Sequence, residues 1–357
     1  MVALIIVAVV FLSMTCAERP PRLLGERISH GKGYRLDEEG ITVVHLRGSQ
    51  DEMREQYETL LADEIAAFTE AAAKHRVLQR FAGGCTNIAA FGSASDDGRV
   101  WHGRNFDFPG NGVMDRYRAV FIIEPEGAIP FVSVGWCGQY PEDVHTAMNA
   151  EGLSLGYMHA ETPGETIMDA PFLWKIYRRI MEQASTIDEA IAILEREPRK
   201  GSANLLLADD EPPYAVVVEM TSEKLAVRKP QRDVIYATNH FVSEELFYAE
   251  NRDPDTFARY ERLGELSRTL HGKFNLDRMV SVLRDRYDVH LGREALGGDI
   301  IGTPANMLSV VFCPDDLTFW VAEGNAPAAY NRFIGFSLAD ELEGKQAECR
   351  VRHVPQD

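Results

Sequence analysis

Apolar residues after Ser49 return every three or four positions: Met53, Tyr57, Leu60, Leu61, Ile65 and Phe68 share one helical face. Ser49-Gln50-Asp51-Glu52 reads as a capping box at its start. The helix and its continuation run towards Phe81. From Cys85 the texture becomes strand-like. Thr86–Ser93 and Arg99–Asp107 read as two strands separated by the turn signal Asp96-Asp97-Gly98. Ala119–Pro125 and Ile129–Trp136 follow around Glu126-Gly127, and Thr146–Asn149 and Gly152–Met158 flank Asn149-Ala150-Glu151-Gly152. Helical spacing returns at about Ala170–Ala184 and, after a second capping box at Thr186-Ile187-Asp188-Glu189, continues to about Arg196. Further strands are predicted at Asn204–Ala208, Ala215–Met220, Lys224–Arg228 and Val234–Thr238. Thr256–Leu270 and Leu276–Tyr287 read as helices. Leu308–Phe312 and Leu317–Ala322 form a closing hairpin around Pro314-Asp315-Asp316.

Strands arriving as hairpins, with helix pairs between the groups, imply antiparallel sheets whose outer faces are covered by helices. The expected class is α+β, with two stacked antiparallel sheets between two helical layers. No strand leads through a Gly-rich loop into a helix, so neither a Rossmann nor a P-loop reading holds. There is no repeat and no low-complexity linker.

At 357 residues the chain can bury a large core, as one α/β unit or as two domains. A formal net charge of −18 without a basic tract argues against nucleic acid and anionic membrane surfaces as partners. Val2 to Leu12 is unbroken apolar sequence, shorter than the roughly 20 residues of a membrane-spanning helix. With Ser13-Met14-Thr15-Cys16-Ala17 behind it, the stretch reads as an export signal over residues 1–17. Cleavage after Ala17 would give a secreted or periplasmic protein. Leu12-Ser13-Met14-Thr15-Cys16 loosely resembles a lipoprotein signal, which would make Cys16 the lipidated residue. Cys137, Cys313 and Cys349 show no CxxC spacing, so no zinc site is expected. No metal and no cofactor are expected.

Cys85 stands in Gly83-Gly84-Cys85-Thr86-Asn87, and the predicted hairpin returns His102-Gly103-Arg104-Asn105-Phe106-Asp107 beside it. A lone cysteine is most often a small buried hydrophobe. Here the polar cluster favours a nucleophile, because only the thiolate attacks strongly and a nearby cation lowers the thiol pKa. Gly84 has no side chain, so its carbonyl is open to the thiol of the next residue. Acyl shift to sulfur and hydrolysis would cut the chain between Gly84 and Cys85. The freed α-amine, with a reference pKa of about 7.7–8.0, could then serve Cys85 as its own base.

Gly84-Cys85-Thr86, Arg104-Asn105-Phe106-Asp107-Phe108, Asn149-Ala150-Glu151-Gly152-Leu153, Thr238-Asn239-His240 and Arg259-Tyr260-Glu261-Arg262 together resemble the N-terminal-nucleophile (Ntn) hydrolases of the choloylglycine hydrolase type. The likeness is greatest to the autoproteolytic branch of isopenicillin-N acyltransferase. Around Cys85 and Arg104–Asp107 the chain is also similar to acid ceramidase and N-acylethanolamine acid amidase. The resemblance spans roughly residues 42–325. It implies a four-layer αββα sandwich and self-cleavage before Cys85. Residues 18–84 would be a pro-segment, residues 85–357 the catalytic fragment, and the two would stay associated. Cys85 would attack a small-molecule N-acyl amide, for hydrolysis or acyl transfer. By position, Asp107 would orient the Cys85 amine, Arg104 support the thiol and Asn239 donate to the oxyanion. Asn149 and Arg259 match further polar positions. Arg104 replaces an amide side chain of the fungal acyltransferase and leaves the acyl donor open. Trp136, Tyr140 and Tyr157 are candidates for an acyl pocket. Two alternatives remain: a papain-like cysteine protease with a base such as His159, and a lipid-anchored binding protein with an inert Cys85.

Overall fold

The computed structural model describes residues 25–38, 40–75, 84–108, 114–138, 143–160, 162, 169–212, 214–247, 254–345 and 353–355. The proposed signal with Cys16, and also Gly83, Tyr140 and Cys349, lie outside these residues.

In chain order the elements begin with β1 (Ile28–His30), β2 (Gly33–Glu38), β3 (Ile41–Gly48), α1 (Gln50–Leu60) and α2 (Ala62–His75). Next come β4 (Cys85–Ala90), β5 (Trp101–Asp107), β6 (Arg118–Pro125), β7 (Phe131–Trp136), β8 (Thr146–Asn149) and β9 (Ser154–His159). Helices α3 (Leu173–Gln183) and α4 (Ile187–Arg196) precede β10 (Ala203–Ala208), β11 (Ala215–Met220), β12 (Leu225–Arg228) and β13 (Val234–Ala237). The C-terminal part adds α5 (Pro254–Thr269), α6 (Leu276–Leu283), a small hairpin of β14 (Tyr287–Asp288) and β15 (Arg293–Glu294), β16 (Asn306–Cys313), β17 (Thr318–Ala322), β18 (Phe333–Ser337) and α7 (Leu338–Glu343).

The first large sheet has the order β1-β2-β3-β6-β7-β8-β9-β10-β11-β12, and the second β13-β4-β5-β16-β17-β18. Among the described residues all pairings between these strands are antiparallel except β3 with β6. The layers follow from the side chains each face presents. Between the sheets, Val43, Val120, Val132, Met158 and Val217 of the first meet Ala89, Phe106, Val310, Phe319 and Ile334 of the second. The outer face of the first sheet packs on Met53, Tyr57, Ile176, Ile180 and Leu194 from α1, α3 and α4. The outer face of the second packs on Leu263, Met279 and Leu283 from α5 and α6. Two sheets, each apolar on both faces, therefore lie between two helical layers.

Both predicted capping residues cap helices. Ser49 and Glu52 exchange both bonds of the box at α1, and the Thr186 hydroxyl accepts the Glu189 N–H at α4. The helix predicted over Leu276–Tyr287 ends at Leu283, and Tyr287 enters the small hairpin instead. Strands β1–β3 and β18 have no counterpart in the sequence reading.

Candidate active site

Cys85 is the first residue of β4, and the hairpin to β5 sets it opposite Phe106 and sets Asn87 opposite Arg104. Strand alternation sends Cys85, Arg104 and Phe106 into the space between the sheets. Cys85 is almost fully buried there, 3% exposed. Arg104 is also buried and donates from Nη2 to the Tyr157 carbonyl at 2.7 Å and from Nη1 to the Asn105 carbonyl at 2.8 Å. Burial pushes the Cys85 thiol above its ordinary pKa, against the opposing pull of the Arg104 cation.

The backbone around Gly84-Cys85 is held at several points. The Gly84 carbonyl accepts the Asp107 N–H at 2.8 Å. The Cys85 N–H donates to Asn239 Oδ1 at 2.6 Å, and the Cys85 carbonyl accepts from Arg259 Nη1, also at 2.6 Å. Asn239 follows β13, the neighbour of β4, and α5 supplies Arg259. Arg259 Nη2 reaches Asn239 Oδ1 at 3.1 Å and Asp255 Oδ2 at 2.6 Å. A side chain at residue 84 would crowd this cluster: a Cβ there would lie 3.0 Å from Arg259 Nη2 and 3.4 Å from Asp107 Oδ2.

Asp107 is buried where β5 ends. Asn306 on the adjacent β16 donates to its Oδ1 at 2.8 Å, whereas Oδ2 is buried with no hydrogen-bond partner among the described residues. Burial pushes its carboxyl up to about 7, against the opposing effects of Arg259 and Asn306. The site therefore holds a carboxyl poised near neutrality, two buried guanidinium groups and a thiol.

Five of the six candidate catalytic residues are gathered at this point: Cys85, Arg104, Asp107, Asn239 and Arg259. Asn149 is not brought there. Its neighbour Met148 faces the core between the sheets, so Asn149 turns to the helical side. There its Nδ2 donates to the carbonyls of Met181 and Ala184 at the end of α3, and its Oδ1 accepts from Glu151 and Leu153 in the turn. In the intact chain Asn239 presents its carbonyl oxygen to Cys85, while its Nδ2 donates to the His159 carbonyl at 2.8 Å. Three groups of the site were not singled out in the sequence: Asn306, Asp255 and the carbonyl of His159. Of these only Asp255 carried a local signal, four residues before Arg259.

Aromatic residues collect beside Phe106. Trp136 lies 5.6 Å from it between ring centroids, and His145 bridges from Trp136 to Tyr157 at 6.1 and 5.4 Å. Trp136 and Tyr157 thus stand near the nucleophile. Phe68 and Ala72 of α2 enter the same apolar cluster as Cys85.

The model of the acyl-coenzyme A:6-aminopenicillanic acid acyl-transferase family matches residues 93–327. The chain belongs to this family. The match covers about two thirds of the chain and takes in Arg104, Asp107, Asn149, Asn239 and Arg259; it begins after Cys85. Membership places the chain among the Ntn hydrolases and acyltransferases that act on amides, which displaces the papain-like alternative. No curated protein matches the chain significantly. Similar solved structures include a Caenorhabditis elegans N-acylethanolamine-hydrolyzing acid amidase ortholog, at 19% identity and TM-score 0.48, covering 64% of this chain and 93% of that one. A variant of conjugated bile acid hydrolase from Clostridium perfringens is similar at 11% identity and TM-score 0.46, covering 76% and 97%. Penicillin V acylase from Agrobacterium tumefaciens follows at 14% identity and TM-score 0.44, covering 67% and 83%.

Proposed function

We propose that the chain cuts itself between Gly84 and Cys85 and then acts as a cysteine amidohydrolase or acyltransferase on small-molecule N-acyl amides. The observation that carries the first step is the clamp on Gly84-Cys85. The Gly84 carbonyl oxygen, where negative charge would develop, already accepts the Asp107 N–H at 2.8 Å. Preorganised donors of this kind stabilise a tetrahedral intermediate. In the uncut chain Cys85 has no free amine, so another base must take the thiol proton. Asp107, with one carboxylate oxygen unpartnered among the described residues and a pKa near 7, suits that task.

In this reading Sγ adds to the Gly84 carbonyl carbon as Asp107 takes the thiol proton. The Gly84–Cys85 C–N bond breaks, and the departing nitrogen receives that proton. Water then hydrolyses the thioester, leaving a Gly84 carboxylate and a free Cys85 thiol. The new amine sits where Asn239 Oδ1 accepts from the Cys85 nitrogen. In turnover the same sulfur adds to a substrate amide, the amine product leaves, and water or an acceptor amine resolves the acyl-Cys85 thioester. Arg104 supports the thiolate, and Arg259 holds the Cys85 carbonyl. Asn239 Nδ2 is proposed to donate to the oxyanion during turnover, once released from the His159 carbonyl. Export through residues 1–17, with or without lipidation of Cys16, belongs to the same proposal.

The test is intact mass with N-terminal sequencing. Wild-type protein should give two fragments, the second beginning at Cys85, and Cys85→Ala should give one uncut chain. Wild-type protein that turns over an N-acyl amide while remaining uncut would overturn the proposal.

A further inference from the structure

Where β12, the edge of the first sheet, comes near β13, the edge of the second, these strands and α5 line a solvent-open pocket of about 480 Å³, separate from the site at Cys85. Its lining is unusual for a chain with a formal net charge of −18. Arg228, Lys229, Arg232, Arg268 and His271 all border it, and no carboxylate does. Arg228 is neutralised by the buried Glu219 at 2.6 Å. Among the described residues no carboxylate pairs with Lys229, Arg232 or Arg268. The Asp233 carboxylate beside Arg232 faces His271, so the cations without a paired carboxylate are Lys229, Arg232 and Arg268. Like charges gathered in this way raise the local potential and favour an anionic ligand, and a concave wall focuses that field.

Two features of the backbone shape the cavity. Gly264 on α5 leaves room at the wall: a Cβ there would lie 2.9 Å from the Tyr236 hydroxyl and 3.5 Å from Arg268 Nη1. Arg232 sits in the turn from β12 to β13 at φ 53°, a left-handed conformation that disfavours residues with a Cβ. Asp233, in the same conformation, ties down Ser93 through its carboxylate. Arg232 contributes a cation to the cavity. Tyr236 and Tyr260, with ring centroids 4.7 Å apart, add aromatic surface.

We infer that this cavity binds a small organic anion bearing phosphate or sulfate groups with at least two negative charges, its apolar or aromatic body resting on Tyr236 and Tyr260. Arginine forks suit the tetrahedral oxygens of such groups, and the tyrosine rings suit a flat body. The site is independent of the proposed chemistry at Cys85, so its test needs no turnover.

Phenyl phosphate, pyrophosphate and inorganic phosphate are titrated into purified protein at low ionic strength by calorimetry. Wild type should bind phenyl phosphate and pyrophosphate saturably and inorganic phosphate more weakly, with affinity falling as salt rises. Arg232→Asn with Arg268→Gln removes two cations and should weaken binding by about tenfold or more, the scale of losing one charge-assisted hydrogen bond. Gly264→Ala should weaken it independently by closing the wall, and serves if the double variant does not fold. Both variants should leave self-cleavage unchanged. Absence of saturable binding by any probe, or binding unaltered in the folded variants, would overturn the assignment.

Discussion

At the scale of the residue, the proposed division of work in the site rests on two side chains. Asp107 can accept the thiol proton only as the anion, and burial holds its carboxyl up near 7. Self-cleavage of purified precursor should therefore accelerate as pH rises through about 7 and level off above it. Asp107→Asn should abolish that dependence and slow cleavage by about 10²–10⁴, the usual worth of a positioned base. A wild-type rate that is flat from mildly acid to mildly alkaline pH would assign the proton elsewhere. In the proposed mechanism the two ends of Asn239 have different tasks. Asn239→Asp keeps an acceptor for the Cys85 nitrogen, whereas Asn239→Ala removes it. The Asp variant should still cleave itself and the Ala variant should do so much more slowly. Both lose Nδ2, so cleaved enzyme of either kind should fall by about 10²–10³ in turnover on N-acyl amides. Undiminished turnover with chemistry limiting would remove Asn239 from the oxyanion role. Cys85, Arg104 and Asp107 were legible because one hairpin brings them together. Asn306 was not, because it reaches Asp107 from 199 residues away through the pairing of β5 with β16. Asn149 illustrates the opposite difficulty. Asparagine serves a tight turn as readily as an oxyanion, and the sequence contains no mark that separates the two uses.

At the scale of the element, what the sequence revealed was local and what it hid was not. Capping boxes and period-two runs mark α1, α4, β4, β5 and β16 because each signal lies within a few residues. Strands β1 and β2 are short, and β3 carries adjacent buried Val43 and Val44 instead of a clean alternation; its place depends on lying parallel to β6, a partner more than seventy residues away. That pairing has a consequence for self-cleavage. Seven residue pairs, from Thr42 with Ala119 to Gly48 with Pro125, join the part before Cys85 to the first sheet. Val43, Val44 and Leu46 are fully buried in it, and each contributes on the order of 1.5–3 kcal/mol by leaving water. After cleavage the two fragments should therefore co-elute as one species in native size-exclusion chromatography and separate only in denaturant. A catalytic fragment produced alone from Cys85 should be insoluble, since β6 would lose its neighbour and present an open edge. A soluble, folded fragment beginning at Cys85 would contradict this.

At the scale of the whole molecule, burial of polar groups between and beneath the sheets links stability to pH. His102 is wedged between the sheets, bonded to Ser154 Oγ at 3.0 Å and Asn87 Oδ1 at 3.1 Å. Burial pushes its pKa down to about 3, that of His145 also to about 3, and that of His240 to about 4. Once unfolded, each would titrate near 6.5. Between those values the unfolded chain binds protons that the folded chain refuses, so stability falls as pH falls. Each histidine contributes a slope of at most about 1.4 kcal/mol per pH unit. Asp107 acts in the other direction. Its raised pKa means that the folded state binds the extra proton between about 7 and the ordinary carboxylate value, which stabilises the fold on acidification. His45, also pushed by burial to about 3, acts as the other three histidines do, and Asp209, raised to about 6, and Asp315, raised by burial, act as Asp107 does. Four histidines oppose three carboxyls, so the net slope should be a modest loss of stability below about pH 6.5. Denaturant melts of the Cys85→Ala chain, which removes self-cleavage from the measurement, should show a plateau above pH 7 and a decline towards pH 5. His102→Gln can retain hydrogen bonding between the sheets without a titrating ring and should make that decline shallower. Asp107→Asn should make it steeper. Identical slopes in all three chains would mean that groups elsewhere govern the acid response, and the buried histidines would have to be partly charged in the fold.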